Sequence, residues 1–434
     1  MRTPSSIIAA LLLVSSLSFA CDDKKDPAAK TDPKTAKADP KAKADKKSDR
    51  SADKKADAKT DAKSDAKSDT KADPNDKEPI GKADDEASKK ALEEFAKSRD
   101  SKPVEVTAKP GTPEWFVQGL EAFRAGNIDP IVSNFAKDIR WDAVGSPLEA
   151  PSEGKAAVMA RWEDLLIGIP DMKLHAKRIF HHGDLVVMQV VLTGTHKGNF
   201  RGIAPTEKSV GTEVLAWIRH DAEGKAKDVR VVYDEATLLA QMGKLEGAEV
   251  PPIPAEPEGA PEIVGGDDDK ASIDVAKKLY AAGKGSWKLC ETKLCAAGFV
   301  HHESRTGKTI DKPEDHKAMH EAFMAAFPDM KMSVDEVVSF GAGWVVVFAH
   351  AKGTHKGDLG PMKATKKKVD LAYGEVMRMD AGKIAESWGY TNGLEMLAEL
   401  GLFTAPVPAP VADAKPAVKP AVKPAVKPAV KPAE

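Results

Sequence analysis

The feature that most constrains this 434-residue chain is the duplication of a whole domain. "IPDMKLHAKRIFHHGDLVVMQVVLTGTHKG" in the first half is answered by "FPDMKMSVDEVVSFGAGWVVVFAHAKGTHKG" in the second. Pro170 and Pro328 stand 158 residues apart (328 − 170), His196 and His355 stand 159 apart (355 − 196), and Gly243 and Gly401 are again 158 apart (401 − 243). A near-constant offset of this length means two copies of a domain, because solenoid repeats run about 20–50 residues. The Pro-, Gly- and acid-rich "GAEVPPIPAEPEGAPEIVGGDDDK" separates the copies. It places a linker at 251–270, with domains at 100–250 and 271–404.

Each copy reads helix first and sheet second. In copy one, "TPEWFVQGLEAFRAGNIDPIVSNFA" spaces Trp115, Phe116, Leu120 and Phe123 at helical intervals, behind Thr112 as N-cap and Pro113 in the first turn. "GKAAVMARWEDLLIGIPD" predicts a second helix that stops at Pro170. Two β-branched runs around Gly183-Asp184 predict a hairpin, and "KSVGTEVLAWIRHD" and "DVRVVYDEA" add strands. "TLLAQMG" closes the copy with a short helix ending at Gly243. The expected class is α+β: three helices on one face of a curved, mostly antiparallel sheet.

The flanks differ in kind. Residues 1–20 read as a signal peptide, with Arg2, the apolar "IIAALLLVSSL" and the small-residue end "SFA". Cys21 follows directly, as a lipidated cysteine would in a bacterial lipoprotein; simple cleavage after Ala20 is the other reading. The first gives an exported protein anchored to the cell envelope by its N-terminal lipid, the second a soluble exported one, and partitioning into detergent distinguishes them. From 21 to 85 the chain is nearly all Lys, Asp, Ala, Ser, Thr and Pro, which leaves nothing apolar to offset the entropy of ordering. The tail 405–434, built on "KPAV", is expected to be extended and to suit contact with anionic envelope polymers. Lysines and aspartates interleave to a formal net charge of −2, which argues against a nucleic-acid partner.

Taken together, "PDM", the hairpin ending in "GTHKG", the "GIAPT" turn and the closing "DEATLLAQMG" resemble the SnoaL-like polyketide cyclase (ester cyclase) family. The resemblance implies two tandem cone-shaped α+β barrels of the nuclear transport factor 2-like kind, each closing over one apolar pocket. It also implies a cofactor-free aldol-type closure: a buried carboxylate takes a proton beside a carbonyl, and the enolate attacks a second carbonyl. The ligand would be a small apolar or carbonyl-rich molecule. The family's acid/base maps onto Asp234.

By strand alternation Val229, Val231 and Tyr233 share one face, and Arg230, Val232 and Asp234 the other, which would turn Asp234 into the cone. Its alternative is to cap the helix that follows. His196 is a second catalytic candidate, as proton carrier or enolate donor; a turn residue held by backbone is its alternative. Trp141, Trp217, His301, His355 and Asn392 are candidate ligand-binding residues. His301, His302 and Glu303 alternate faces on a strand, so they do not grip one ion, and no metal is expected.

Asp234 aligns with Asn392 (392 − 234 = 158), and an amide takes up no proton at neutral pH. Any activity is therefore expected in copy one, with copy two binding, stabilising or pairing with it. On that reading Asp234→Asn lowers turnover by about 10²–10⁴ with the fold intact. Cys290 and Cys295 in "CETKLC" suit a local bridge only if the helix ends between them. Two non-catalytic readings stay open: an exported binding module and an envelope scaffold.

Overall fold

The computed structural model of the chain describes residues 104–245 and 248–404, together with Glu93. The expected signal peptide, Cys21, the Lys/Asp tether and the "KPAV" tail lie outside the described residues.

Cone one begins with α1 (Pro113–Arg124), where the Thr112 side chain accepts from Trp115 N–H. Gly126, at φ 90°, ends this run, so the expected single first helix becomes two, with α2 at Asp129–Ser133. Strands β1 (Phe135–Ala143) and β2 (Ser152–Glu153) precede α3 (Lys155–Gly168). Then come β3 (Lys173–His182), β4 (Leu185–Thr195), β5 (Ser209–His220), β6 (Ala226–Tyr233) and the closing helix α4 (Glu235–Gln241).

The linker is not a bare spacer. Its residues Glu262–Gly265 form β7, which adds parallel to the edge of β3, and Arg178 holds Glu262 at 2.8 Å. The sheet runs β2-β1-β6-β5-β4-β3-β7, antiparallel except where β1 meets β6 and β3 meets β7.

Cone two repeats the plan with α5 (Lys270–Ala281), α6 (Ser286–Leu289), β8 (Cys295–Glu303), β9 (Lys308–Ile310) and α7 (Pro313–Ala326). Strands β10 (Lys331–Ser339), β11 (Trp344–Thr354), β12 (Lys368–Asp380) and β13 (Lys383–Thr391) follow, and α8 (Gly393–Glu399) closes it. Its sheet runs β10-β11-β12-β13-β8-β9. Cys290 and Cys295 are bridged: a single π-helical turn ends at Leu294, and Cys295 is already extended, at φ −99° and ψ 150°. Among the described residues no helix is long and apolar enough to cross a membrane.

Strand β4 is buried along Leu185–Thr193 because both of its faces are covered. Val186, Met188 and Val190 turn into cone one. Val187 turns outward with Phe180, Trp217 and Val232, onto Phe340, Trp344, Phe348 and Trp388 of cone two. The two sheets thus pack back to back, and Gln189 Nε2 donates to the Tyr390 hydroxyl across the junction at 2.8 Å. An apolar run without polar alternation is what two covered faces require.

Candidate functional site

The repeated Gly-Thr-His-Lys-Gly proves to be a structural joint. A Cβ on Gly198 would lie 1.9 Å from the Ile167 carbonyl oxygen, and one on Gly357 2.3 Å from that of Ala325, so only glycine lets the turn close on α3 or α7. Asp171 of "PDM" accepts from Thr195 N–H at 2.7 Å and pairs with Lys197 at 2.9 Å. Asp329 does the same with Thr354 and Lys356, at 2.8 Å each. His196 and His355 are fully buried, their Nδ1 atoms 3.0 and 3.2 Å from the Thr206 and Thr365 hydroxyls. Burial holds both imidazoles below their usual pKa. Neither reaches the cavity described below, so both are corrected from chemistry and ligand binding to turn-building.

Asp234 is likewise turned away. Val229, Val231 and Tyr233 are the residues of β6 that face into cone one, whereas Val232 faces cone two. Alternation is right about the pairing of residues but not about which face turns inward. Asp234, 2% exposed, caps α4 by accepting from Ala236 N–H and Thr237 N–H, and it takes the Thr237 hydroxyl at 2.6 Å. It also accepts from Gly393 N–H of cone two at 2.7 Å. Burial pushes its carboxyl up, opposed by the Arg305 charge and these hydrogen bonds. Asp234→Asn is therefore expected to lower unfolding stability by about 1–3 kcal/mol, through a poorer cap and a lost charged hydrogen bond. Denaturant midpoints measure it; full stability with lost turnover would return Asp234 to the chemistry.

Trp217 lies on the outer face of β5, 1% exposed, beneath Arg230 at the junction of the cones, and does not line the cavity of cone one. His301 sits inside cone two, its Nδ1 2.7 Å from the Ser387 hydroxyl and its Nε2 3.5 Å from Glu303. Burial opposes its charge, but the Glu303 carboxylate holds its pKa above the usual value. Glu375 accepts from the Tyr280 hydroxyl nearby at 2.7 Å. By parallel register His301 stands beside Ser387 as Trp141 stands beside Val229, so one position is polar in cone two and aromatic in cone one. Asn392 caps α8 and contacts cone one, not a ligand cavity.

Trp141 alone of the candidates lines the cavity, edge-on to Trp162 at 5.7 Å. That cavity, about 160 Å³, lies in cone one between α1, α3 and the inner face of the sheet. Its wall is apolar apart from Asn134 and a linked set that sequence reading missed: Glu149, Arg161, Arg201 and Tyr233. Arg201 pairs with Glu149 at 2.9 Å and with Glu235, and donates to the Tyr233 hydroxyl at 3.2 Å. Arg161 reaches the second Glu149 oxygen at 3.5 Å. Burial pushes the Glu149 carboxyl up, against the pull of Arg201, and pushes the Tyr233 hydroxyl up as well.

Three residues of this wall carry buried donors without a protein partner: Arg201 Nε, Trp162 Nε1 and Asn134 Nδ2. Each such donor costs about 1–3 kcal/mol and calls for an acceptor. Arg201 is also held at φ 51°, a left-handed backbone that disfavours a side chain. Copy two has Gly360 at this place, at φ 55°. The signal that would have found Arg201 is this contrast between the copies. Among the described residues no group of three or more His, Cys, Asp or Glu is placed to hold a metal ion.

A family model described as SnoaL-like polyketide cyclase matches twice, over residues 116–242 and 274–400. No curated protein matches the chain. Solved structures similar to it include IdmH from Streptomyces antibioticus, a proposed polyketide cyclase, at 25% identity over 30% of this chain and 98% of that one, with a TM-score of 0.27. A proposed SnoaL-like polyketide cyclase from Jannaschia sp. CCS1 is 18% identical over 33% and 99%, with a TM-score of 0.28. TsrD from Streptomyces laurentii is 16% identical over 32% and 100%, with a TM-score of 0.28.

Proposed function

The chain belongs to the SnoaL-like polyketide cyclase family, in tandem, and from that premise we propose that cone one catalyses an aldol-type closure on a small apolar carbonyl compound. The observation that carries this reading is the donor set of its cavity. Arg201, Trp162 and Asn134 line it and each carries a buried donor without a protein partner, in a wall that is apolar apart from Asn134, Glu149, Arg161, Arg201 and Tyr233; such donors suit a ligand whose polar atoms are acceptors.

Glu149 is the base. Burial raises its pKa and so improves its match to a weakly acidic C–H. It takes a proton from the carbon beside one carbonyl, and the enolate oxygen that forms accepts from Arg201 Nε–H. The enolate carbon then bonds to a second carbonyl carbon of the same molecule, whose oxygen takes the proton back from Glu149. Atoms and charge balance with groups of this chain alone. Tyr233, whose hydroxyl stays protonated, and Glu235 hold the Arg201 guanidinium in place.

Closure of acetonylacetone to methylcyclopentenone, with loss of water after the aldol step, provides an assay. Glu149→Gln keeps an acceptor for Arg201 and should slow closure by about 10²–10⁴, a far larger factor than any loss of menadione binding, read by quenching of tryptophan fluorescence. Wild-type turnover in Glu149→Gln would remove Glu149 from the role of base.

A further inference from the structure

Asp234 and Asn392 occupy matching places at the heads of α4 and α8, and each reaches across to the other cone. Asp234 accepts from Gly393 N–H at 2.7 Å, and Asn392 Oδ1 accepts from Glu235 N–H at 3.2 Å. The exchange is not symmetric. The residue after the cap is Glu235 in copy one and Gly393 in copy two, and each suits its opposite number. A Cβ on Gly393 would press within 3.1 Å of an Asp234 oxygen.

Glu235, by contrast, extends its carboxylate to Asn392 Nδ2 at 3.0 Å while its other oxygen takes Arg201 and the Ser146 hydroxyl. An amide supplies both the acceptor for Glu235 N–H and the donor for the Glu235 carboxylate. An aspartate at 392 would set two carboxylate oxygens against each other. The asparagine of copy two is thus the partner that Glu235 requires, and its lack of basicity is incidental.

We propose that cone two completes the site of cone one, with Asn392 a positioning residue that acts through Glu235 to hold Arg201 at the cavity. A second contact has the same direction. Asn392 Nδ2 also lies 3.4 Å from the Gly145 carbonyl oxygen, and Glu395 of cone two packs so closely on Gly145 that a Cβ there would fall 2.4 Å from its carboxyl carbon. Gly145 begins the loop that carries Ser146 and Glu149. The Glu235 arm of the Arg201 clamp is thus seated directly on cone two, and the loop that carries the Glu149 arm touches cone two at Gly145. None of Arg201, Glu235 and Tyr233 has its like in copy two, where Gly360, Gly393 and Thr391 stand. The second copy has kept the fold and become the support of the first.

The inference rests on reading cone one as the ligand-binding cone, and the test separates the two. In the full chain, Asn392→Asp should weaken menadione binding about tenfold or more near pH 8 and much less near pH 5, where the added carboxyl takes a proton. Adding Glu235→Gln to Asn392→Asp should recover most of the loss, because the amide–carboxylate pair is restored in reverse. Asn392→Gly keeps a tolerated cap residue and removes all three side-chain contacts with cone one, so it should weaken binding without the pH dependence.

The Arg201 Nε–H resonance, assigned by its disappearance in Arg201→Met, reports the position of the guanidinium without any ligand. It should shift and exchange faster with water in Asn392→Asp near pH 8, and return near pH 5. An unchanged Arg201 resonance in folded Asn392→Asp and Asn392→Gly overturns the positioning role. Failure of the wild-type chain to bind menadione, with that resonance responding as described, overturns the ligand reading and leaves the positioning role standing.

Discussion

Arg201→Met should slow the proposed closure by cone one and make the chain's stability depend on pH. The Arg201 side chain is 10% exposed and faces carboxylates that are 6% exposed in Glu149 and 1% in Glu235. Removing the cation leaves Glu149 with the more distant Arg161 and Glu235 with neutral hydrogen bonds from Ser146 and Asn392; breaking a buried pair typically costs about 3–5 kcal/mol. The Glu149 carboxyl is already pushed up by burial, and without Arg201 it rises further. A carboxyl raised in the folded state favours folding only while it is protonated. The deficit of the variant is therefore greatest near neutral pH and shrinks as pH falls.

On the proposed mechanism, losing a preorganised donor to the enolate should cost a factor of about 10²–10³ in turnover. Arg201→Gly separates the causes. It removes the same cation but relieves the backbone at φ 51°, so it should be more stable than Arg201→Met by roughly 1 kcal/mol. Urea midpoints of the two variants between acid and neutral pH make the measurement. A methionine variant that melts and turns over as the wild type does would remove Arg201 from both roles.

Glu395→Gln should act in the opposite sense and stabilise the chain at alkaline pH. Glu395, 9% exposed, accepts from Ala372 N–H at 3.0 Å. Its pKa is pushed up to about 8, by burial first and then by the charges of Glu399, Asp370 and Glu235. The folded pKa lies above the unfolded value of 4.5, so the native state holds the proton more tightly. That advantage is complete below the unfolded pKa and is lost as pH rises through about 8. Its upper bound is about 5 kcal/mol, at 1.36 kcal/mol for each pKa unit. Glutamine keeps an acceptor for Ala372 N–H and never ionises. The variant should match the wild type near pH 4, exceed it by up to several kcal/mol near pH 9, and show a flatter profile in between. Parallel profiles for the two proteins would show that Glu395 ionises freely in the folded state.

The residues read correctly from sequence are those whose structure depends on near neighbours. Thr112 and Pro113 start α1, and Gly243 closes α4, because a cap or a turn is decided within a few residues. The tandem cones were legible for a related reason. Packing the same turn on the same helix twice needs the same glycines, and Gly198 and Gly357 face the same contact with a carbonyl oxygen. The "LVVMQVVL" run, read only as one arm of a hairpin, is apolar but for Gln189 because both faces of its strand are covered.

What covers the second face is a tertiary fact, and the placing of the site depends on it. Strand alternation assigns Tyr233 and Asp234 to opposite sides without saying which side is inner. Cone two occupies the side of Asp234, so Tyr233 faces the cavity and Asp234 becomes a clasp between domains. Glu149, Arg201 and Glu235 come from two loops and a helix terminus, where no periodicity announces a partner. Their chemistry arises only when folding brings one cation against two carboxylates away from water, where an unpaired charge is costly enough to hold all three in one geometry.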